Sequence, residues 1–242
     1  MNGPTGGEPP PVARVLVHGD MTVHGRIAGS SNVTLLVTCA LTGTEQLGVY
    51  KPARGERRLW DFPTGLHRRE VAAYQLSEAL GWGIVPITVL RADGPYGPGS
   101  VQRLVPEDGT AHYFTLLEDP QWHPTLKVFA AFDVLANNAD RKSGHVLLAE
   151  DRLWAIDNGL SFHTEPKLRT VIWDFAGEPL ADDVAAAVGR LAADGVPDDL
   201  CRLIAPEEAA ALAQRAETLA AEGQLPEPDA DREWPPYPWP LV

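Results

Sequence analysis

Residues 137–161 read NNADRKSGHVLLAEDRLWAIDNGLS, and this stretch decides the fold. His145 to Ala149 and Arg152 to Asp157 are apolar runs of strand type, separated by Glu150-Asp151. A two-residue turn there pairs 149 with 152 and 145 with 156. Strands folded back in that register bring Asp140, His145 and Asp157 to the open end of one hairpin. Two carboxylates and an imidazole at a strand end can hold a divalent metal and position a hydroxyl nucleophile. That is the equipment of phosphoryl transfer.

Outward from the hairpin, Pro124 to Asn137 (PTLKVFAAFDVLAN) reads as a helix leading in. Beyond Val171, the segments DDVAAAVGRLAA, PDDLCRLI and PEEAAALAQRAETLAAEG read as helices with acidic residues at their N-termini, where the helix dipole favours them. The first third of the chain has a different texture. ARVLVHGDMTVHGRI alternates apolar and polar residues, with a turn near Gly19-Asp20. NVTLLVTCAL and EQLGVYK follow, separated by Thr42-Gly43. His67 to Leu80 reads as a helix stopped by Gly81, and GIVPITVLRADG and GSVQRLV as two more strands. The expected fold is α+β and two-lobed, with a β-rich N-lobe over 13–106, a helical C-lobe over 107–223 and a cleft near residue 106. Residues 1–12, rich in Gly and Pro, are expected to be disordered. The Pro-rich stretch 224–242 is expected to be an extended strap, with Trp234, Tyr237 and Trp239 against a surface groove.

The 242 residues suit one large domain or one two-lobed domain. A formal charge of −13 argues against a broad nucleic-acid or anionic-membrane surface. The two cysteines, Cys39 and Cys201, lack metal-type spacing and read as free thiols of a reducing compartment. The N-terminus has no signal-peptide core, and no apolar run approaches the roughly 20 residues that span a bilayer. A cytoplasmic protein with no nucleic-acid partner and no transmembrane segment is expected.

Several residues outside the hairpin fit the same chemistry. Lys51 ends the strand LGVYK and Glu70 sits early in the next helix, the pairing that fixes ATP phosphates in kinases. Alternatively, both are ordinary surface charges. Gly29-Ser30-Ser31-Asn32, between two strands, is either a plain turn or a loop whose backbone N–H groups approach a phosphate. Asp140 is suited to orient an acceptor hydroxyl and take its proton, and Arg141 to neutralise charge on the transferred phosphate. Read singly, NADR and DNG are also simple turns.

Together these residues resemble the phosphatidylinositol 3-/4-kinase superfamily. NADR…H followed by AIDNGLSF resembles its catalytic and metal-binding loops. The type II phosphatidylinositol 4-kinases, actinobacterial phosphatidylinositol-kinase-like proteins and HipA-type kinases are the nearest flavour. The likeness covers about residues 25–175: GSSN resembles the nucleotide loop, VYKPARGE the ATP-lysine strand, and REVAAYQLSEALGWGIVPIT the helix carrying the glutamate with the strand after it. It implies ATP as phosphoryl donor and Mg²⁺ or Mn²⁺ as the metal. Lys51 would contact ATP phosphates and Glu70 would pair with it. Val105 to Glu107 would be the hinge touching adenine. Asp140 would be the catalytic aspartate, and Asp157 the chief metal ligand.

The family places a metal-binding Asn five residues after the catalytic Asp, where this chain has His145. Mg²⁺ prefers oxygen ligands. His145 therefore binds a softer ion such as Mn²⁺, acts as a titratable group, signals weakened catalysis, or is a structural histidine. The acceptor stays open among a protein hydroxyl, a lipid and a small molecule. Lys167 and Arg169, in the segment after Asp157, are either solvated cations or a landing place for an acidic acceptor. A nucleotide-binding pseudokinase regulator and AMP transfer are the competing functions.

Overall fold

The structure, a computed structural model, describes residues 11–107, 109–229 and 235–241. It separates into two units, Met1–Arg58 with Ile87–Leu104, and Leu59–Pro86 with Val105–Val242. The helix after Gly65, counted with the N-lobe in the sequence reading, belongs to the second unit.

The first unit is a five-stranded antiparallel sheet in the order β1-β2-β3-β5-β4. Its strands are β1 (Asp20–Arg26), β2 (Leu35–Leu41), β3 (Thr44–Pro52), β4 (Thr88–Gly94) and β5 (Gly97–Arg103). Alternation along β2 buries Leu35, Val37 and Cys39 on the face that also holds Tyr50 and Val101. That face is covered by helix α1 (Pro11–His18), where a strand was expected over 14–18. Val12, Val15 and Leu16 fall at helical spacing and pack on the sheet, so the 3.6-residue period prevails over the apparent alternation. Gly19 ends the helix. Its N–H reaches the Val15 carbonyl at 2.8 Å, and a Cβ there would lie 2.6 Å from that oxygen and 2.9 Å from the Ala40 nitrogen. Pro11 and Val12, expected to be disordered, are helical. Residues 1–10 lie outside the described residues.

The second unit is helical. Its elements are α2 (Leu66–Ala79), α3 (Tyr113–Leu117), α4 (His123–Ala136), the hairpin β6 (Val146–Ala149) and β7 (Arg152–Ala155), then α5 (Asp182–Asp194), α6 (Asp198–Cys201) and α7 (Pro206–Glu222). One core joins them. Leu126, Phe129, Phe132 and Leu135 of α4 meet Leu76 of α2, Val188 of α5 and Leu212 of α7. The acidic N-termini are present, Asp182 and Asp183 on α5 and Glu207 and Glu208 on α7. Glu208 also accepts the Ala205 N–H at 2.9 Å and pairs with buried Arg69, tying α7 to α2.

The Pro-rich C-terminal stretch runs along this unit and is held by its carbonyls. Pro236 O accepts from Thr170 N at 3.1 Å and Trp173 Nε1 at 3.0 Å, and Leu241 O from Ser143 N at 2.9 Å. Two of the three expected aromatic anchors do not pack: Tyr237 is 47% and Trp239 88% exposed, while Pro238 is buried. Trp234 lies outside the described residues.

The hairpin has the expected register, Ala149 opposite Arg152 and Val146 opposite Ala155, and Ile156 N donates to His145 O at 3.0 Å. Its turn residues Glu150 and Asp151 both adopt left-handed backbone, φ 55° and 56°. This is the tight turn in which Asn-Gly is favoured, because side chains with a Cβ cost energy there. Asp151→Gly is expected to raise stability by about 1 kcal/mol. An unchanged denaturant midpoint would show that the turn carries no such strain.

Candidate active site

The loops that follow α4 and β7 are built on one buried ion pair. Asp133 is the one charge in the apolar run 128–136 of helix α4, and Arg141 lies just beyond the helix end; both side chains are fully buried. Arg141 Nε lies 3.1 Å from each Asp133 carboxylate oxygen and Nη2 2.9 Å from Oδ1. Thr170 Oγ1 at 3.0 Å and Asn138 Nδ2 at 3.2 Å also donate to this carboxylate. Burial pushes the Asp133 carboxyl upward, while the forked contact with a permanently charged guanidinium opposes it and keeps the acid ionised. The remaining Arg141 donors reach Ile156 O at 2.8 Å and Asn158 Oδ1 at 2.6 Å. Arg141 thus welds α4, its own loop and the loop after β7. That corrects the role read from the sequence: its charge faces inward, spent on Asp133, and does not reach a phosphate.

Asp140 is held on this frame. Its N–H donates to Asn138 Oδ1 at 2.9 Å, and Ala139 N to Leu160 O at 2.8 Å. The carboxylate is largely buried, with Lys142 Nζ 3.3 Å from Oδ2. Burial raises its pKa to about 6; Lys142 and Arg169 pull it down and Asp157 pushes it up. Asp140 is therefore an anion at neutral pH but more basic than an exposed aspartate, as suits a group that takes a proton from a hydroxyl. Lys142 was not identified from the sequence. Its signal was its place two residues after the aspartate, where both side chains reach the same side of an extended loop.

Asp157 sits in left-handed backbone, φ 56°, with its side chain half exposed. His145 Nε2 stands 3.4 Å from Asp157 Oδ2, and the Lys142 N–H points at His145 Nδ1 at 3.4 Å. With Nδ1 accepting, the proton of a neutral ring lies on Nε2, facing Asp157. Asn158 N donates to Glu70 Oε2 at 3.1 Å, which anchors this loop on α2. Gly159 permits that approach, since a Cβ would stand 3.2 Å from Glu70 Oε1 and 3.5 Å from Leu66 Cβ. Glu70 itself is buried at 3% exposure.

In the first unit, Lys51 lies on β3 opposite Ser100. Gly29 to Asn32 form the β1–β2 loop, with φ 82° at Gly29. The loop is braced by Ser30 Oγ on Thr34 Oγ1 at 2.8 Å and by Arg57 N on Asn32 Oδ1 at 2.8 Å. In the second unit, Val105 packs on Ala149 and Trp154, while Glu107 is exposed and its N–H contacts Val105 O at 3.0 Å. The structure gathers Asp140, Lys142, His145 and Asp157 in one unit, with Glu70 one hydrogen bond behind them.

Among the described residues no group of three or more His, Cys, Asp or Glu side chains forms a metal cluster. The donor set at the hairpin mouth is the pair Asp157 and His145. It fits a divalent ion that completes its shell with oxygens from water or phosphate, provided Nε2 gives up its proton. No helix of the described residues is long and apolar enough to cross a membrane.

No protein-family model matches the chain. It is 40% identical to "Protein Rv2133c" of Mycobacterium tuberculosis, over 93% of this chain and 94% of that protein. It is 26% identical to phosphatidylinositol 4-kinase gamma 4 of Oryza sativa subsp. japonica, over 79% of this chain but 44% of the plant protein. Among solved structures it is similar to the Golgi casein kinase with Mn/ADP bound, at TM-score 0.56, 13% identity, 87% of this chain and 74% of that one. It is also similar to the Helicobacter pylori proinflammatory kinase CtkA, at TM-score 0.50, 11% identity, 87% of this chain and 94% of that one. These likenesses show the fold: a β-rich N-lobe and an α-helical C-lobe of protein-kinase-like architecture.

Two outcomes follow from the frame. Arg141→Met leaves Asp133 charged and unpaired, and is expected to cost about 3–5 kcal/mol in urea unfolding. The double variant Asp133→Leu/Arg141→Met is expected to recover most of that loss; failure to recover would deny that the pair is a self-contained brace. Asp140→Asn is expected to stabilise the ligand-free protein. The folded pKa lies above the unfolded value, so the native state holds the extra proton between about pH 4 and 6. Ionised Asp140 therefore costs about 1–3 kcal/mol above pH 6. Its removal raises Tm at pH 7.5, an advantage that fades as pH falls and is gone near pH 4.

Proposed function

The chain belongs to the family of the Mycobacterium tuberculosis Protein Rv2133c, and we propose that it is an ATP- and divalent-metal-dependent phosphotransferase of the phosphatidylinositol 3-/4-kinase-like type, acting on a hydroxyl acceptor. The observation that carries this reading is the placement of Asp140, with its raised pKa, on the loop welded by Arg141 to the loop of Asp157. The likeness to a plant phosphatidylinositol 4-kinase and to a Golgi casein kinase that binds Mn and ADP supports it.

In this reading each residue has a separate task. Asp140 orients the acceptor hydroxyl. Its carboxylate receives the hydroxyl proton as the acceptor oxygen bonds to the transferred phosphorus and ADP leaves. Lys142, 3.3 Å from that carboxylate, keeps it ionised and places positive charge beside the transferred group. Glu70, in the second unit, anchors the loop of Asp157 through Asn158 N, and Lys51, in the first, is given the nucleotide phosphates. The Gly29–Asn32 loop offers backbone N–H groups to them, and Val105 and Glu107 offer the backbone edge that meets adenine. Asp157 and His145 would hold the divalent ion, which supplies positive charge for the phosphate oxygens.

A second reading, a nucleotide-binding pseudokinase, draws on the Nε2 proton of His145 facing Asp157. Nucleotide binding followed by thermal shift, beside an ATP-consumption assay, separates the two. Binding with turnover supports the transferase, and binding without turnover the regulator. Asp140→Ala is expected to lower transfer from γ-labelled ATP by at least about 10²-fold while ATP binding survives; retained turnover excludes the role given to Asp140. His145→Asn replaces nitrogen with an oxygen donor and is expected to raise Mg²⁺-supported turnover relative to Mn²⁺. An unchanged metal ratio would remove His145 from the metal shell.

A further inference from the structure

The C-terminal stretch 235–241, PPYPWPL, sits on the second unit as a ligand sits on a receptor. Four of its seven residues are proline and bring no N–H, so the segment pairs chiefly through its carbonyl oxygens. It meets donors matched to that need. Trp173 Nε1 and Thr170 N both donate to Pro236 O, at 3.0 and 3.1 Å, and Ser143 N donates to Leu241 O at 2.9 Å. Pro238, between the two carbonyls, is buried, while the Tyr237, Trp239 and Leu241 side chains stand exposed. An indole N–H on a carbonyl of a proline run, with a neighbouring proline buried, is the way proline-rich peptides are recognised. The fixed φ of proline keeps the ordering cost of such a segment low.

The two anchor points flank Lys142. On one side Arg141 is laddered to the segment 169–171. Its N–H donates to Arg169 O at 3.0 Å, and Val171 N donates to its carbonyl at 3.1 Å. Thr170, between them, is the residue whose N–H the strap takes. On the other side Ser143 is fully buried, and its N–H is taken by Leu241 O. Without that carbonyl a buried donor is left unpaired, which drives the loop toward water. Lys142 lies between these fixed points with Nζ 3.3 Å from Asp140 Oδ2, and its carbonyl accepts from His145 N at 3.1 Å. A shift of Ser143 therefore moves two groups together: the cation beside Asp140 and the imidazole that faces Asp157.

Resting on the phosphotransferase reading, we propose that Ser143, Thr170 and Trp173 form a proline-rich-peptide site occupied by this chain's own residues 235–241, and that this occupancy positions Lys142 and His145 for phosphoryl transfer. Leu241 is then a positioning residue that acts through its carbonyl. The site is a peptide receptor satisfied in cis, and the ligand class that fits it is a proline-rich peptide.

The probe is the free peptide PPYPWPL, with AAYAWAL as its control. Pro238→Asp in the full chain sets a carboxylate at the buried position and is expected to release the strap. Hydrogen exchange over 141–146 is expected to rise at least about tenfold, while exchange in α4 stays as in the unsubstituted chain. Transfer from γ-labelled ATP is expected to fall on the order of 10–100-fold in kcat with KM for ATP unchanged. Millimolar PPYPWPL is expected to restore slow exchange and turnover, and AAYAWAL neither. Trp173→Phe keeps the ring and loses only the donor. It is expected to raise the same exchange about fivefold, and carries the test if Pro238→Asp does not fold. Exchange over 141–146 that is indifferent to both substitutions, or that rises and is not reversed by PPYPWPL, overturns the peptide site. Faster exchange with unchanged kcat overturns the positioning role. An unsubstituted chain that binds ATP without consuming it fails the phosphotransferase reading and the positioning role with it, while exchange still decides the peptide site.

Discussion

The Asp133–Arg141 pair is the constraint on which the candidate site depends. Burying two charges is expensive, and a forked contact recovers that cost only when every other donor and acceptor is also satisfied. Here the satisfaction itself builds the site. Thr170 and Asn138 complete the carboxylate, while Ile156 and Asn158 take the remaining guanidinium donors. The partners lie on the segments that precede Asp140, follow it and carry Asp157. Two loops without regular structure thereby acquire fixed positions that their own sequences do not supply.

On this rigid frame stand groups that the fold does not favour. Asp140 is ionised where burial disfavours it, Asp157 occupies left-handed backbone, and Asp61 serves two cations at once. Each costs stability locally and is kept in place by packing around it. The C-terminal strap adds to the frame through backbone carbonyls at Ser143, Thr170 and Trp173. The Tyr237 and Trp239 side chains remain exposed because the donors on this surface are backbone and indole N–H groups, which a carbonyl satisfies and a ring does not.

Much of the fold was legible in residue order. The hairpin register followed from a two-residue turn between apolar runs, and the helices of the second half from apolar spacing and acidic N-termini. The reading went wrong where two periods coexist. Residues 14–18 alternate well enough to pass for a strand, and only the sheet face beneath Val12, Val15 and Leu16 selects the helix. Arg141 was misread for a related reason. An arginine beside an acidic loop resembles a phosphate ligand, yet an aspartate within the apolar run 128–136 already required a buried cation nearby.

By itself the sequence determined which chemistry is present: two aspartates and a histidine at a hairpin mouth, a strand lysine and a helix glutamate, with turns short enough to fix register. These are local properties of spacing and side-chain type. The tertiary structure decided what each charged group faces. It turned Arg141 inward, set Lys142 beside Asp140, aimed His145 at Asp157 and backed Asp157's loop with Glu70. It also bound residues 163–169 to the loop of Asp140 through Asn137. The role of a charge depends on the partners and the dielectric around it, and both exist only once distant segments have packed together.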